Sequence, residues 1–98
     1  MSAMMISQVQ IHDPALFQDY LAKSKDIAGR YGAELLARGR LETVLNGNDK
    51  PAPLVVIARF PSLEKLNAWF EDDDYKAIIG LRDKSSHQEM TAWTLIED

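Results

Sequence analysis

The sequence predicts an α+β domain in which two helices cover one face of a four-stranded antiparallel sheet. With 98 residues, the chain is long enough to form one hydrophobic core and too short to form two. Stretches of alternating apolar and polar residues indicate strands, and apolar residues three or four apart indicate helices. They occur in the order strand, helix, strand, strand, helix, strand, which is the βαββαβ order of the ferredoxin-like fold. We therefore expect residues 1–98 to form a single domain.

The first strand and the first helix are predicted in the first third of the chain. Residues 5–11 alternate with a period of two, as expected for a strand with one buried face. Asp13 followed by Pro14 indicates a helix start, with Asp13 as the N-cap residue. Gly32 stands where the C-terminal cap of this helix is expected. Between these limits, one face of the helix is apolar and the other is polar, with Gln18, Lys25 and Arg30 on the polar face.

The middle of the sequence predicts a hairpin. Alternation over residues 33–46 indicates a long strand, with a bend or bulge at Gly39. Residues 46–51 are dense in turn-forming residue types. Residues 54–60 form an apolar block rich in Val and Ile that is too short for a typical helix, and we expect it to be the second strand of the hairpin.

A second helix and a fourth strand complete the predicted fold. Ser62 after Pro61 is a suitable N-cap residue. The acidic residues 72–74 interrupt the helix that follows and favour a new helix start, because carboxylates are stabilised near a helix N-terminus. After the polar stretch 82–88, alternation resumes at Met90 and indicates the last strand. The helical spacing is carried by Leu63, Leu66, Trp69, Phe70, Tyr75, Ile78 and Ile79.

Composition and charge exclude several classes of function. The net charge of −4 and the isoelectric point near 5.1 argue against nucleic acid as a partner, since phosphate binding needs clustered Lys and Arg. Because the chain has no Cys, disulfides and thiolate chemistry are excluded. Residues 1–11 lack the basic flank and the unbroken apolar run of a signal peptide or membrane span. We therefore expect a cytoplasmic protein.

Apolar residues occur on both sides of several predicted strands. In a two-layer fold the helices cover only one face of the sheet, so the other face would be left open to solvent. Packing against the same face of a second copy would bury it. We therefore expect a homodimer that is joined through the open sheet face.

Several short motifs, taken in order and spacing, resemble a known family along nearly the whole chain. These motifs are Asp13-Pro14 with Phe17 and Tyr20, Gly32, Arg38-Gly39 with Glu42 and Asn46-Gly47, Val55-Val56-Ile57, Phe60-Pro61-Ser62, Ala68-Trp69-Phe70, Tyr75 and the stretch 78–82. The sequence resembles the domain-of-unknown-function family 1330 (DUF1330), which belongs to the dimeric α/β-barrel superfamily of ferredoxin-like folds. The resemblance implies a dimeric α/β barrel and no established activity.

The sequence departs from that family pattern at three places. Ala33 stands where a second glycine usually follows Gly32, and Arg40 stands where a second glycine usually follows the Arg-Gly pair. The acidic residues 71–74 replace what is normally a shorter helix start. Because Arg40 adds bulk and charge beside a possible pocket, what typical members bind there can differ in this chain.

Arg38 and Glu42 are the first candidates for a functional site. They are four residues apart in a predicted strand and therefore share one face of it. In the functional interpretation, Arg38 binds an anionic or carbonyl oxygen while Glu42 orients it or acts as a base. The alternative is a structural or solvent-facing ion pair alongside Arg40. This alternative is the commoner case, because ion pairs are frequent on protein surfaces.

Trp69, Tyr75 and Arg82 are the other candidate ligand-binding residues. Tyr75 and Arg82 are seven residues apart and fall on one stripe of a helix. With Arg38 they could line a pocket in which Tyr75 donates a hydrogen bond and Arg82 is a second cationic group. The alternative interpretation packs Tyr75 on the sheet, assigns Arg82 to the helix C-terminus, and makes the aromatic residues part of the core.

The sequence contains no recognisable metal or cofactor motif. His12 and His87 do not form a ligand-spaced pair, and residues 72–74 lack the alternating ligands and glycine of a calcium loop. A phosphate-binding loop, a dinucleotide fingerprint and a Ser–His–Asp order are also absent. We expect neither a metal nor a cofactor.

Three functions remain open at this point, one of which is a purely structural role that needs only the dimer interface. The first is a protein that binds or transforms a small organic molecule without a cofactor, as some superfamily relatives do. The second is a non-catalytic dimeric module that binds a metabolite or has a regulatory role. Fold analogy alone carries little weight in this choice, because one fold supports many chemistries.

Overall fold

The computed structural model describes residues 1–96, and its elements follow the predicted order. The four strands form one antiparallel sheet in the order β2-β3-β1-β4, with the helices on one face. This confirms the α+β, ferredoxin-like prediction. The elements are β1 (Ala3–Ile11), α1 (Pro14–Gly29), β2 (Glu34–Arg40), β3 (Leu54–Phe60), α2 (Leu63–Glu71), α3 (Asp73–Ala77), α4 (Ile79–Ser85) and β4 (Ser86–Thr94).

The alternation in β1 determines which face of the sheet is buried. Met5, Ser7 and Val9 point toward the helices and are buried, whereas Gln8 and Gln10 are exposed on the opposite face. Because β1 pairs with both β3 and β4, its register assigns each residue of those strands to a face as well.

Both ends of α1 are fixed by the residues that the sequence indicated. The Asp13 carboxylate accepts a hydrogen bond from the backbone N–H of Leu16 at 3.1 Å. After the helix, Gly32 adopts a φ of +80°, and a Cβ at this position would lie 2.8 Å from Cγ of Pro61. Both observations require glycine, since an L side chain would be strained and would also clash.

The second helical region is divided into three segments rather than forming one helix. Ser62 caps α2 by accepting from the backbone N–H of Lys65, as predicted. The Asp72 carboxylate then accepts from the backbone N–H of Asp74 at 2.7 Å and starts α3. The interpretation of the acidic run as a helix start is therefore confirmed, while α4 begins without a side-chain cap at Ile78.

β2 differs from its prediction in length and in the place of its irregularity. It ends at Arg40 rather than at residue 46, and the register shifts between Leu35 and Ala37 rather than at Gly39. The extra residue at this bulge reverses the alternation, because two residues there oppose one on β3. As a consequence Leu35, predicted to face away from Arg38, lies on the same helix-facing side as Arg38 and Arg40.

β4 begins at Ser86, four residues earlier than predicted. Its first helix-facing positions are Ser86 and Gln88, which are polar, so that the alternation in hydrophobicity is hidden there. The Ser7 hydroxyl donates to Oε1 of Gln88 at 2.7 Å, and Nε2 of Gln88 donates to the Ser86 hydroxyl at 3.0 Å. These bonds allow polar side chains to occupy interior positions of the fold.

The core lies between the helices and the sheet, and the other sheet face carries apolar residues of its own. On that open face Met4, Ile6, Val55 and Ile57 are half-buried, and Trp93 is 52% exposed. The buried core consists of Ala3, Met5, Val9, Phe17, Tyr20, Ile27, Phe60, Leu66, Trp69 and Tyr75. Among residues 1–96, no helix is long and apolar enough to cross a membrane.

Candidate functional site

A cavity of about 250 Å³, here called the inner cavity, lies between α1 and the β2 side of the sheet. It forms because β2 is an edge strand whose residues are mostly exposed; Leu35, for example, is 55% exposed. The floor is apolar, and most of the polar side chains come from α1 and β2. The residues that line it are Met5, Leu21, Ser24, Lys25, Ala28, Ala33, Glu34, Leu35, Arg38, Val56, Ala58, Phe60 and Trp69.

Arg38 lines the inner cavity, and Glu42 does not. The strand ends two residues before Glu42, which is exposed in the β2–β3 connection. No ion pair found among residues 1–96 involves either side chain. The expected Arg38–Glu42 pair is therefore not formed, because the predicted strand face does not extend that far. Arg38 is left with a guanidinium that can donate to a ligand.

Trp69 forms the deep wall of the inner cavity. It is 2% exposed, and its ring centroid lies 5.4 Å from that of Phe60 and 4.6 Å from that of Tyr75. Its indole Nε1 is the one buried side-chain nitrogen or oxygen in residues 1–96 that has no hydrogen-bond partner. A buried N–H without an acceptor is unfavourable, so an oxygen atom brought close to it would be stabilised.

Tyr75 and Arg82 lie behind Trp69 and do not line the inner cavity. The Tyr75 hydroxyl is 2.8 Å from that of Tyr20, and Nη1 of Arg82 donates to Tyr75 at 3.4 Å. Arg82 also donates through Nε to Asp83 at 3.0 Å, and its side chain is only 17% exposed. The predicted stripe of Tyr75 and Arg82 exists, but it supports Trp69 from behind.

The electrostatics of this supporting cluster keep its charges fixed at neutral pH. Burial, ahead of the neighbouring Tyr75, raises the pKa of Tyr20 well above its ordinary value. Burial opposes the charged form of Arg82, but hydrogen bonds to Asp83 and Tyr75 outweigh it and raise the pKa of the guanidinium. Tyr20 is therefore a neutral phenol and Arg82 a cation, so Tyr20 is unsuited to act as a base at neutral pH.

The family of the chain follows from a match that covers almost its whole length. Residues 2–95 match the family model described as "Domain of unknown function (DUF1330)". The chain belongs to the DUF1330 family. No curated protein matches the sequence.

Solved structures similar to this DUF1330 protein share its fold at low sequence identity. A protein of unknown function from Rhodopseudomonas palustris is 16% identical, with a TM-score of 0.78 over 99% of this chain and 84% of that one. SnoaB, a cofactor-independent oxygenase from Streptomyces nogalater, is 15% identical, with a TM-score of 0.70 over 99% and 95%. A dimeric ferredoxin-like protein of unknown function from Thermobifida fusca is 16% identical, with a TM-score of 0.61 over 97% and 92%. At these identities the likeness shows the ferredoxin-like fold alone.

Three polar residues at the cavity of this DUF1330 protein were not predicted as site residues. Ser24 and Lys25 come from α1, and Glu34 comes from the start of β2. Lys25 was placed on the polar face of the helix, away from the core, because spacing alone does not show that β2 is an open edge beside that face.

No metal-binding arrangement is found in the described part of the chain. Groups of three or more His, Asp or Glu side chains that could hold a metal ion do not occur in residues 1–96. Asp72 and Asp74 act instead at the start of α3 and in ion pairing, since Asp74 accepts from Nη1 of Arg30 at 2.6 Å. The polar side chains that line the cavity, Ser24, Lys25, Glu34 and Arg38, offer hydrogen bonds and charge.

Proposed function

We propose that this DUF1330 protein binds a small, largely apolar organic molecule in the inner cavity and stabilises an anionic oxygen on it. The observation that carries the proposal is an apolar cavity of about 250 Å³ with the cation of Arg38 at its side. Ligand sites are typically apolar enclosures with a few polar groups that fix orientation. A carboxylate, phenolate or enolate attached to an apolar body matches this combination.

Trp69, which also lines the cavity, supports the same proposal. Its Nε1 is a buried donor without an acceptor, and the Arg38 guanidinium beside a carbonyl oxygen would stabilise the negative charge that develops when the molecule becomes an enolate. In the enzymatic version of this proposal, the protein transforms the bound molecule without a cofactor. SnoaB, which shares the fold, is named a cofactor-independent oxygenase, so the fold is compatible with that chemistry.

The test uses 1-(2-naphthyl)butane-1,3-dione, an apolar diketone whose enolate absorbs at longer wavelength than its neutral form. We expect it to bind the wild-type protein and to ionise at lower pH when bound, because the Arg38 cation favours the enolate. Arg38→Gln should weaken binding of the enolate about tenfold, as expected for a lost charge-assisted hydrogen bond. Calorimetry gives the affinity, and an absorbance titration gives the ionisation.

Lys65→Gln is the control, since it removes the same charge from an exposed position of α2 that does not line the cavity. Absence of binding to the wild-type protein would contradict the proposal. Binding with no change in the acidity of the diketone would favour the alternative, a non-catalytic module that binds a metabolite.

We infer further that the protein is a homodimer joined through the open sheet face. The support is the group of apolar residues on that face, together with a dimeric protein among the structures that share the fold. The cytoplasm is the location that we propose, because a chain without Cys suits a reducing compartment.

A further inference from the structure

A second cavity adjoins the inner one along α1. This outer cavity has a volume of about 300 Å³ and shares Leu21, Arg38 and Val56 with the inner cavity. Because the two cavities share these walls, Arg38 stands between them and can be reached from both. The outer cavity is lined on the α1 side by Phe17 and Gln18.

Arg40 provides a second cation, which lies at the outer cavity. It lines the outer cavity, and the register of β2 with β3 places it on the same helix-facing side as Arg38. Arg38 and Arg40 are two residues apart on one face of a strand, so their Cα atoms are separated by about 6.6 Å. Their pairing partners on β3 are Val56 and Leu54, which are apolar.

The two guanidinium groups share an excess of positive charge. None of the ion pairs formed within residues 1–96 includes Arg38 or Arg40. The two like charges lie on the same face of the strand and repel each other; both side chains are exposed, so water screens part of this repulsion. A ligand with two anionic groups would remove that repulsion and gain a hydrogen-bonded partner at each end.

We propose that the ligand is an organic dianion with an apolar body, such as an aryl-substituted dicarboxylate. The apolar body occupies the inner cavity, one acidic group binds Arg38, and the second extends into the outer cavity and binds Arg40. This inference rests on the proposed function and specifies the ligand class of the same site. Arg40 is then the residue that selects a dianion over a monoanion.

The experiment compares 2-naphthylacetate with 2-naphthylsuccinate, which carries one additional carboxymethyl group. The wild-type protein should bind the succinate about tenfold more tightly than the acetate, since one more charge-assisted contact is formed. Arg40→Gln should remove this preference, because it should weaken binding of the succinate much more than binding of the acetate. Arg40→Lys, which keeps the charge, should retain most of the preference for the succinate. Lys65→Gln should bind both probes as the wild type does.

Equal affinity of the wild-type protein for both probes would overturn the inference and leave the proposed function standing. A preference for the succinate that persists in Arg40→Gln would also overturn it, because another group would then bind the second carboxylate. If neither probe binds and the diketone does not bind, both the inference and the proposed function fail. The monomethyl ester of the succinate separates charge from size: its affinity should fall to that of the acetate.

Discussion

At the scale of single residues, Trp69 combines two properties that rarely occur together. Its ring is packed against Phe60 and Tyr75 in the core, while its N–H lacks an acceptor. A buried donor without a partner costs about 1–3 kcal/mol. A ligand that supplies an acceptor would recover part of that free energy on binding.

Trp69→Phe should therefore weaken binding of a ligand that has an acceptor oxygen more than binding of a ligand that has none. The phenyl ring keeps an aromatic wall but has no N–H to donate. We expect binding of the naphthyl diketone to weaken about fivefold to tenfold. Naphthalene has no acceptor, and its affinity for Trp69→Phe should change much less.

Calorimetry with both compounds measures this difference. Near-UV circular dichroism checks that the aromatic core remains ordered in the variant. Equal weakening for diketone and naphthalene would show that Trp69 acts through packing alone.

At the scale of elements, the turn after α1 depends on one glycine. Gly32→Ala should lower the free energy of unfolding by about 1–3 kcal/mol, because φ is positive there and the added Cβ would meet Pro61. Gly29→Ala is the matched control: it lies at the end of α1, and its Cβ would have no heavy atom within 4 Å. That change should raise stability by up to about 1 kcal/mol.

Urea denaturation of both variants provides the comparison. A neutral effect of Gly32→Ala would mean that the turn can take another conformation in solution.

The contact between the turn after α1 and the start of α3 should make the free energy of unfolding depend on pH in acid. A hydrogen bond from the Tyr31 hydroxyl, ahead of the bond from the backbone N–H of Asp74, lowers the pKa of the Asp72 carboxyl. A carboxyl with a lowered folded-state pKa stabilises the fold above its unfolded value of about 3.9. This contribution is lost as the pH falls through the folded-state value.

Asp72→Asn should thus be less stable than the wild type at pH 7, and the difference should disappear in acid. Asn still serves as an N-cap residue, so the helix start is retained. Thermal unfolding of the two proteins between pH 7 and pH 2 measures the difference. A stability difference between the two proteins that stays constant across this pH range would contradict the role assigned to the Asp72 charge.

The elements that sequence predicted well are those with caps and clear periodicity. Asp13, Ser62 and Asp72 each lie where a helix begins, because a short polar side chain there accepts a hydrogen bond from a free backbone N–H of the first turn. β2 was less predictable, since a bulge inserts one residue without changing the residue types around it. The same limit affected the site: Arg38 lies at the cavity as expected, but Glu42 lies beyond the end of the strand.

At the scale of the whole molecule, the proposed dimer has a direct test. The chain extends over 38 × 33 × 16 Å, so its open sheet face is large relative to its thickness. Trp93→Glu places a charge on that face at a side chain that is 52% exposed in the single chain, so the fold itself should tolerate it. We expect the variant to shift from dimer to monomer, measured by light scattering after size-exclusion chromatography.

Leu63→Glu is the matched control on the helix layer, where an exposed leucine begins α2. It should leave the oligomeric state unchanged. A wild-type protein that elutes as a monomer at high concentration would contradict the dimer, whatever the variants do.

The cavity itself was beyond what sequence could predict. Its walls come from α1, three strands and α2, and one of those strands, β2, is the exposed edge of the sheet. Sequence patterns assign residues to faces within one element, but the empty space between elements depends on how those elements pack. Arg38 and Trp69 were predicted together, while Tyr75 and Arg82 turned out to support Trp69 rather than to line the cavity.

The two tryptophans lie in opposite surroundings, which gives the protein two intrinsic fluorescence signals. Trp69 is buried in the core at the inner cavity, whereas Trp93 lies on the open sheet face and is 52% exposed in the single chain. An indole in an apolar surrounding emits at shorter wavelength than one in water. Filling of the cavity should therefore alter the blue part of the emission, and covering of the sheet face should alter the red part.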